Sequence, residues 1–333
     1  MGNDNRLNYI DFLKFLGLTG IILAHVKSPD AVILLRSFDV PLMVLLSAFL
    51  SYRSWNKFKA SNLSTTQYYL SRFKRLVFPV WIFLTVYFCI YAVLNRHLFD
   101  FSYYIYSYGL TRYGIGYVWI ILIYLYCALL VPLFDRIEYS RKSLLAVGLV
   151  YVLYEIAFYY KIGTTSKLLM STIYYIIPYG TIAFIGFYYE KMSQTTRRII
   201  WGFSAVVFII CACFYWTVNG SFQLVNIVKF PPRLYYLSYG ILWSFLLLFL
   251  CRTKNYKWFW NKVFRFVAAH SMWIYLWHIL WLTVYDVLHL PSIWIIKLLV
   301  VYVGASLTVI IVNRILNLIE RKWNLKIIKY LRG

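Results

Sequence analysis

Asn8-Tyr-Ile-Asp11-Phe-Leu-Lys14-Phe-Leu-Gly-Leu-Thr-Gly-Ile-Ile-Leu-Ala-His25 is long and apolar enough to enter a bilayer, yet it carries three ionisable side chains. A charged group in hydrocarbon costs several kcal/mol on most scales, so an ionisable residue there is a functional hypothesis by default. The eleven positions from Lys14 to His25 make about 1100° of helix rotation, close to three full turns. Lys14 and His25 are therefore expected on one face, roughly 16 Å apart, with Asp11 near the first. Such a stripe suits the wall of a channel or site better than a lipid-facing surface.

Similar runs recur along the whole chain. Hydrophobic residues make up 62% and charged residues 14% of 333. Soluble domains carry about 25% charge, so a soluble globular fold is excluded. The runs predict an all-α, polytopic membrane protein with about ten spans, near 8–27, 32–52, 76–95, 114–134, 143–160, 171–190, 198–217, 233–251, 270–290 and 293–317. No soluble domain interrupts them, and residues 1–333 read as a single transmembrane domain. No cleavage site follows the first run, which is expected to remain as a span.

The formal net charge of +23 suggests nucleic acid until its distribution is considered. Basic residues gather in alternate loops: Arg53, Lys57, Lys59, Arg72, Lys74 and Arg75; then Arg136, Arg141 and Lys142; then Lys191, Arg197 and Arg198; then Arg252, Lys254, Lys257, Lys262 and Arg265. The tail adds Arg321, Lys322, Lys326, Lys329 and Arg332. Between them the loops are poorer, with Lys27, then Arg96 and Arg112, then Lys161 and Lys167, then Lys229. The positive-inside rule puts both termini in the cytoplasm, in keeping with an even number of spans. Anionic lipid accounts for most of this charge, and no nucleic-acid partner is expected.

Several side chains suggest chemistry. A neutral imidazole such as His25 can take a proton from a hydroxyl and return it, although a lone intramembrane histidine is often only hydrogen-bonded to a neighbouring helix. Arg72 and Arg75 are i, i+3 neighbours, and arginine forks bind phosphate; ordinary cytoplasmic anchoring is the plainer alternative. His278 and Tyr275 lie one turn apart in the ninth run and are either core packing or part of the cavity of His25. Glu155 reads as a structural ion pair with an arginine, because a lone carboxylate is costly at that depth. Asp39 ahead of Pro41, and the pair Pro232-Arg233, are weaker signals. The segment 53–75 is expected to hold an interfacial helix. The aromatic stretch Phe99, Phe101, Tyr103, Tyr104, Tyr106 and Tyr108 is expected to serve as an interfacial belt, or to offer rings to a sugar. Cys89, Cys127, Cys211, Cys213 and Cys251 fall in or beside the spans as small apolar fillers with no metal-ligand spacing.

In order along the chain these segments resemble the acyltransferase-3 family of bacterial integral-membrane O-acyltransferases. Asn8 through Lys14 to His25 is similar to the family's first-helix arginine, ten residues, histidine. Phe38-Asp39-Val-Pro41 through Ser47-Ala48 resembles its second helix with a Ser-Gly step, and Arg72-Phe-Lys-Arg75 with Pro79 its third-helix Arg-x-x-Arg. Lys229 through Tyr236, Ser271 through His278, and Ile319-Glu320-Arg321 resemble later segments. Two positions depart: Lys14 stands for arginine, keeping charge but not the planar fork, and Ala48 stands for glycine. The resemblance implies transfer of an acyl group, most often acetyl, from cytoplasmic acyl-coenzyme A to a hydroxyl of a surface glycan or its lipid-linked precursor, in the bacterial cytoplasmic membrane. His25 would be general base or transient acyl carrier. Lys14, Arg72 and Arg75 would hold the donor, with Asp11, Tyr275, His278 and Glu155 in support. No metal is implied. A transporter or flippase of a lipid-linked sugar is the alternative from another class, and a sensor without catalysis is a third.

Overall fold

The computed structural model describes residues 8–95, 98–253, 261–323 and 331. Arg96, Lys254, Lys257, Lys326, Lys329 and Arg332 lie outside the described residues. In hydrocarbon each backbone N–H and C=O must be satisfied within its own segment, and the apolar runs accordingly fold as helices. In chain order they are α1 (Asn8–Leu23), α2 (Asp30–Arg36), α3 (Asp39–Ala60), α4 (Thr65–Asn95), α5 (Phe101–Tyr108), α6 (Trp119–Arg136), α7 (Arg141–Tyr159), α8 (Lys167–Ser171), α9 (Ile173–Tyr188), α10 (Gln194–Asn219), α11 (Leu234–Thr253), α12 (Lys262–Ala269), α13 (Ser271–Val287) and α14 (Trp294–Trp323). A short 3-10 turn, Val225–Val228, precedes α11.

Among the described residues, 8 stretches are long and apolar enough to cross a membrane, with α2–α3 and α8–α9 each counting as one. The pair α12 and α13 passes the same test together but bends by 81° at His270. The first helix has 16 residues, about 24 Å of rise. The expected ten runs thus correspond to eight full-length stretches, one bent pair and one short helix.

Three local expectations need correction. The first span stops at Leu23 and not at 27, because Lys27 takes a left-handed φ of 56° and Ser28 precedes a proline, which disfavours helix. Segment 53–75 holds no separate interfacial helix: α3 runs on to Ala60 and α4 begins at Thr65. Its polar centre is a cap, with Ser64 Oγ accepting from the Gln67 N–H at 3.2 Å and Gln67 Oε1 from the Ser64 N–H at 2.8 Å. Much of the aromatic stretch is inward-facing. Phe99 stacks on Tyr103 at 4.3 Å and Tyr104 meets Phe88 of α4 at 4.7 Å, so these rings pin α5 to α4.

At the centre stands α3, packed by α1, α6, α9 and α11. Of the most apolar window in the α2–α3 stretch 61% is buried within the protein, against 11% for α7 and for α10, whose outer faces are left for lipid. Lipid tails are as apolar as leucine, so helices gain contact in a membrane chiefly where small residues let backbones approach. Gly186 of α9 is such a place: a Cβ there would lie 2.5 Å from the Leu45 carbonyl oxygen of α3. The close approach expected from a glycine after Ser47 is thus supplied by the partner helix, opposite Ala48.

Candidate active site

Two cavities enter the bundle and share part of their walls. The larger, about 890 Å³, begins at the end of the bundle that carries the basic loops. Asp11 and Lys14 of α1, and Arg72 and Arg75 of α4, line it. Three cations against one carboxylate make it a site for a polyanion. Arg72 and Arg75 sit one turn apart on α4, which extends helically past the apolar run, and both line the cavity. Arg72 lies over the Tyr68 ring at 4.9 Å and donates to Ser54 Oγ; its Nε is buried without a hydrogen-bond partner. Deeper in, Ser47, Ser51 and Ser54 of α3 follow at helical spacing, facing Leu18 and Ile21 of α1 and Tyr124 of α6.

The smaller cavity, about 210 Å³, adjoins the larger, and Ile21, Ile120 and Tyr275 wall both. Its lining includes His25, Arg36, Asp39, Trp119, Asn226 and Lys229. His25 sits in the tight turn that ends α1, where its N–H donates to the Ile22 carbonyl at 2.9 Å. Lys14 and His25 are therefore on one side of α1, but Leu18 and Ile21 part them, and each opens into a different cavity.

His25 is paired with a second histidine 253 positions away. His25 Nδ1 lies 3.0 Å from His278 Nε2, with the rings stacked 5.2 Å apart. The other nitrogen of His278, Nδ1, faces the Tyr275 carbonyl. A carbonyl can only accept, so His278 carries its proton on Nδ1 and leaves Nε2 as an acceptor. His25 must then donate from Nδ1, which leaves Nε2 of His25 with its lone pair. The chain of bonds prepares His25 as a base. Tyr117 meets the His25 ring edge-on at 4.8 Å, and the Tyr275 hydroxyl donates to the Tyr117 carbonyl.

A buried ion pair borders the same cavity. Arg36 Nη1 donates to Asp39 Oδ2, and Asp39 Oδ1 accepts the Val40 N–H at 2.6 Å. The break between α2 and α3 sets these residues at i, i+3. Lys229 comes from the loop before α11, and burial holds its ammonium down at about 8. Glu155 lies elsewhere. It accepts from Arg233 Nε at 2.6 Å, the Leu234 N–H at 2.7 Å and the Tyr151 hydroxyl at 2.7 Å, which ties α7 to the start of α11. Arg36, Asn226 and Tyr117 were not singled out by the sequence. Arg36-x-x-Asp39 carried the one legible signal, an i, i+3 ion pair inside an apolar run.

A family model described as an acyltransferase domain matches residues 7–331. No curated protein and no solved structure matches the chain. With essentially the whole length matched, the chain belongs to this acyltransferase-3 family and is a membrane acyltransferase.

Proposed function

We propose that this acyltransferase moves an acyl group, in the first instance acetyl, from cytoplasmic acyl-coenzyme A to a hydroxyl of a cell-envelope polysaccharide or its lipid-linked precursor. The observation that carries the reading is the pair of adjoining cavities, one lined by three cations and the other by His25, which is bonded to His278 behind it. On the positive-inside rule the larger cavity faces the cytoplasm, both termini lie on that side, and the membrane is the bacterial cytoplasmic membrane. Lys14, Arg72 and Arg75 hold the donor's phosphates. The serines of α3 offer hydrogen bonds to the amides of the pantetheine arm, and the thioester arrives beside Ile21 and Tyr275.

The acceptor hydroxyl enters the smaller cavity from the other side. Its oxygen attacks the thioester carbonyl carbon while its proton passes to His25 Nε2. The Nδ1–H of His25, bonded to His278, fixes the ring and steadies the imidazolium. Collapse of the tetrahedral intermediate breaks the carbon–sulfur bond. The thiolate leaves with the proton from His25, and the new ester remains on the acceptor. Asp11 and Tyr275 act as support, and no metal takes part.

The test joins turnover to product. Purified protein should release free thiol from acetyl-CoA in the presence of envelope glycan, and His25→Ala should lower that rate by about 10²–10⁴ while leaving the protein monodisperse. Mass comparison of envelope glycans from cells with and without the protein should show one acyl mass difference. A His25→Ala variant with near-normal turnover would sink the base assignment.

A further inference from the structure

The smaller cavity holds more polar chemistry than transfer to a plain hydroxyl requires. Lys229 is only 8% exposed. Among the described residues its ammonium makes no hydrogen bond or ion pair; it rests between the Trp119, Phe230 and Tyr236 rings at 5.4, 5.5 and 5.8 Å. Arg36 is engaged with Asp39 through one arm, but its Nε is buried without a hydrogen-bond partner. Asn226 Oδ1 is likewise buried and unpartnered. Two cations against one carboxylate leave this wall with a surplus positive charge. Membrane anchoring does not explain it, since the wall lies at the end of the bundle where basic loops are sparse. The one carboxylate that acts on this buried ammonium, Asp39, is already bonded to Arg36, and a buried cation so sparsely balanced is costly, which marks a place prepared for an anion. The cations also continue outward, with the Arg112 guanidinium 4.6 Å from the Phe230 ring.

We infer that the acceptor is a hydroxylated anion: one sugar or polyol residue whose carboxylate or phosphate binds Lys229 Nζ, while a hydroxyl donates to Asn226 Oδ1. This rests on the acyl-transfer reading above and narrows its substrate. Arg36 Nε supports the same anion, and His25 Nε2 takes the proton of the hydroxyl that is acylated. The cavity, about 210 Å³, takes a single residue of a polymer and not a longer stretch. Lys229 thus selects the acceptor and has no part in holding the donor.

The experiment starts from the acylated residue found by mass spectrometry of envelope glycans from cells with and without the protein. That residue should carry, or be linked directly to, a carboxylate or a phosphate, and its mass says which. The released oligosaccharide is then offered to purified protein with acetyl-CoA, both as isolated and after carboxyl reduction or phosphate removal. The native form should show a KM at least tenfold lower than the neutralised form, the loss expected for a charge-assisted bond. Lys229→Met should erase that difference and Lys229→Arg should retain most of it, with acetyl-CoA affinity unchanged in both as the measure of folding. An acylated residue with no acidic group on it or its neighbour overturns the inference and leaves acyl transfer standing. So does a Lys229→Met variant that slows native and neutralised acceptors alike, since the ammonium would then act on the acyl group. Wild-type protein that neither binds nor consumes acetyl-CoA overturns the acyl-transfer reading, and this inference with it.

Discussion

Replacing His278 by phenylalanine tests whether the histidine pair sets the base. The ring is fully buried and lines neither cavity, so a phenylalanine of similar size keeps the packing and removes the acceptor for His25 Nδ1–H. In the resting enzyme that bond is neutral and worth about 0.5–1.5 kcal/mol net. During reaction His25 becomes an imidazolium, and the bond to His278 becomes charge-assisted, worth about 1.5–3 kcal/mol. The variant loses the resting bond as well, so only the gain of about 1–1.5 kcal/mol falls on kcat, which should drop by roughly 5- to 13-fold at about 1.36 kcal/mol per factor of ten. That is less than removal of His25 itself, because the base remains. Donor affinity should not change. His278→Gln returns an acceptor oxygen near the lost Nε2 and should recover part of the rate. The assay is thiol release from acetyl-CoA by detergent-purified protein at saturating acceptor, with donor affinity titrated separately. Wild-type kcat in the phenylalanine variant, or a glutamine variant no faster than phenylalanine, would refute the relay.

Arg72→Lys with Arg75→Lys preserves the basic charge of that end and removes the forks; acyl-CoA affinity should fall about tenfold or more with topology and yield unchanged, and unchanged affinity by titration would defeat the donor-site assignment. In the same titration Lys14→Arg should bind the donor as well as or better than wild type, while a weaker value would show that the cavity is shaped around lysine. Single cysteines replacing Asp30 and Asn62 in a background lacking the native ones should differ in intact cells, with an impermeant reagent marking position 30 alone; labelling of position 62 alone would invert every side assigned here. Acceptor KM should be flat below pH about 8 and rise above it, because a buried ammonium titrating near 8 is charged below that pH and neutral above it. Arg36, Asp39, His25 and Tyr275 are the other ionisable groups on that wall and Tyr236 faces the ammonium, so Lys229→Arg is the control: it stays charged and should keep KM flat, and a rise in both proteins would assign the titration elsewhere.

The spans could be read from the sequence because each is a continuous apolar run, and a helix in lipid needs no partner to satisfy its backbone. Arg72, Arg75, Lys14 and His25 were legible for the converse reason, since an ionisable group stands out against hydrocarbon. What escaped was whatever depends on two distant segments meeting. His278 could be read as core packing or as sharing the cavity of His25, but neither residue carries the register that brings two imidazole nitrogens to 3.0 Å. Arg36 lay unremarked inside the second apolar run and Lys229 counted as a charge in a poorer loop, and only the break between α2 and α3 and the folding of the loop before α11 bring them to one cavity wall. The bend between α12 and α13 follows no proline, and the aromatic outer stretch gave no sign that Phe99 and Tyr104 would turn toward α4. Local composition reports depth in the membrane; it does not report which helix stands opposite.

A protein hollowed from both ends is one constriction away from being a leak. Ile21, Ile120 and Tyr275 stand where the two cavities meet, two branched apolar side chains and a ring tethered through its hydroxyl to the Tyr117 carbonyl. An apolar neck of this kind resists hydrated ions and can exclude water by dewetting. An acyl group is itself apolar and narrow, so under the proposed reaction the thioester end of the donor would be the part suited to the passage. The same three residues can therefore admit the cargo and hold back protons and small ions. The cell's membrane potential would then rest, at this point, on the fit of two isoleucines and a tyrosine.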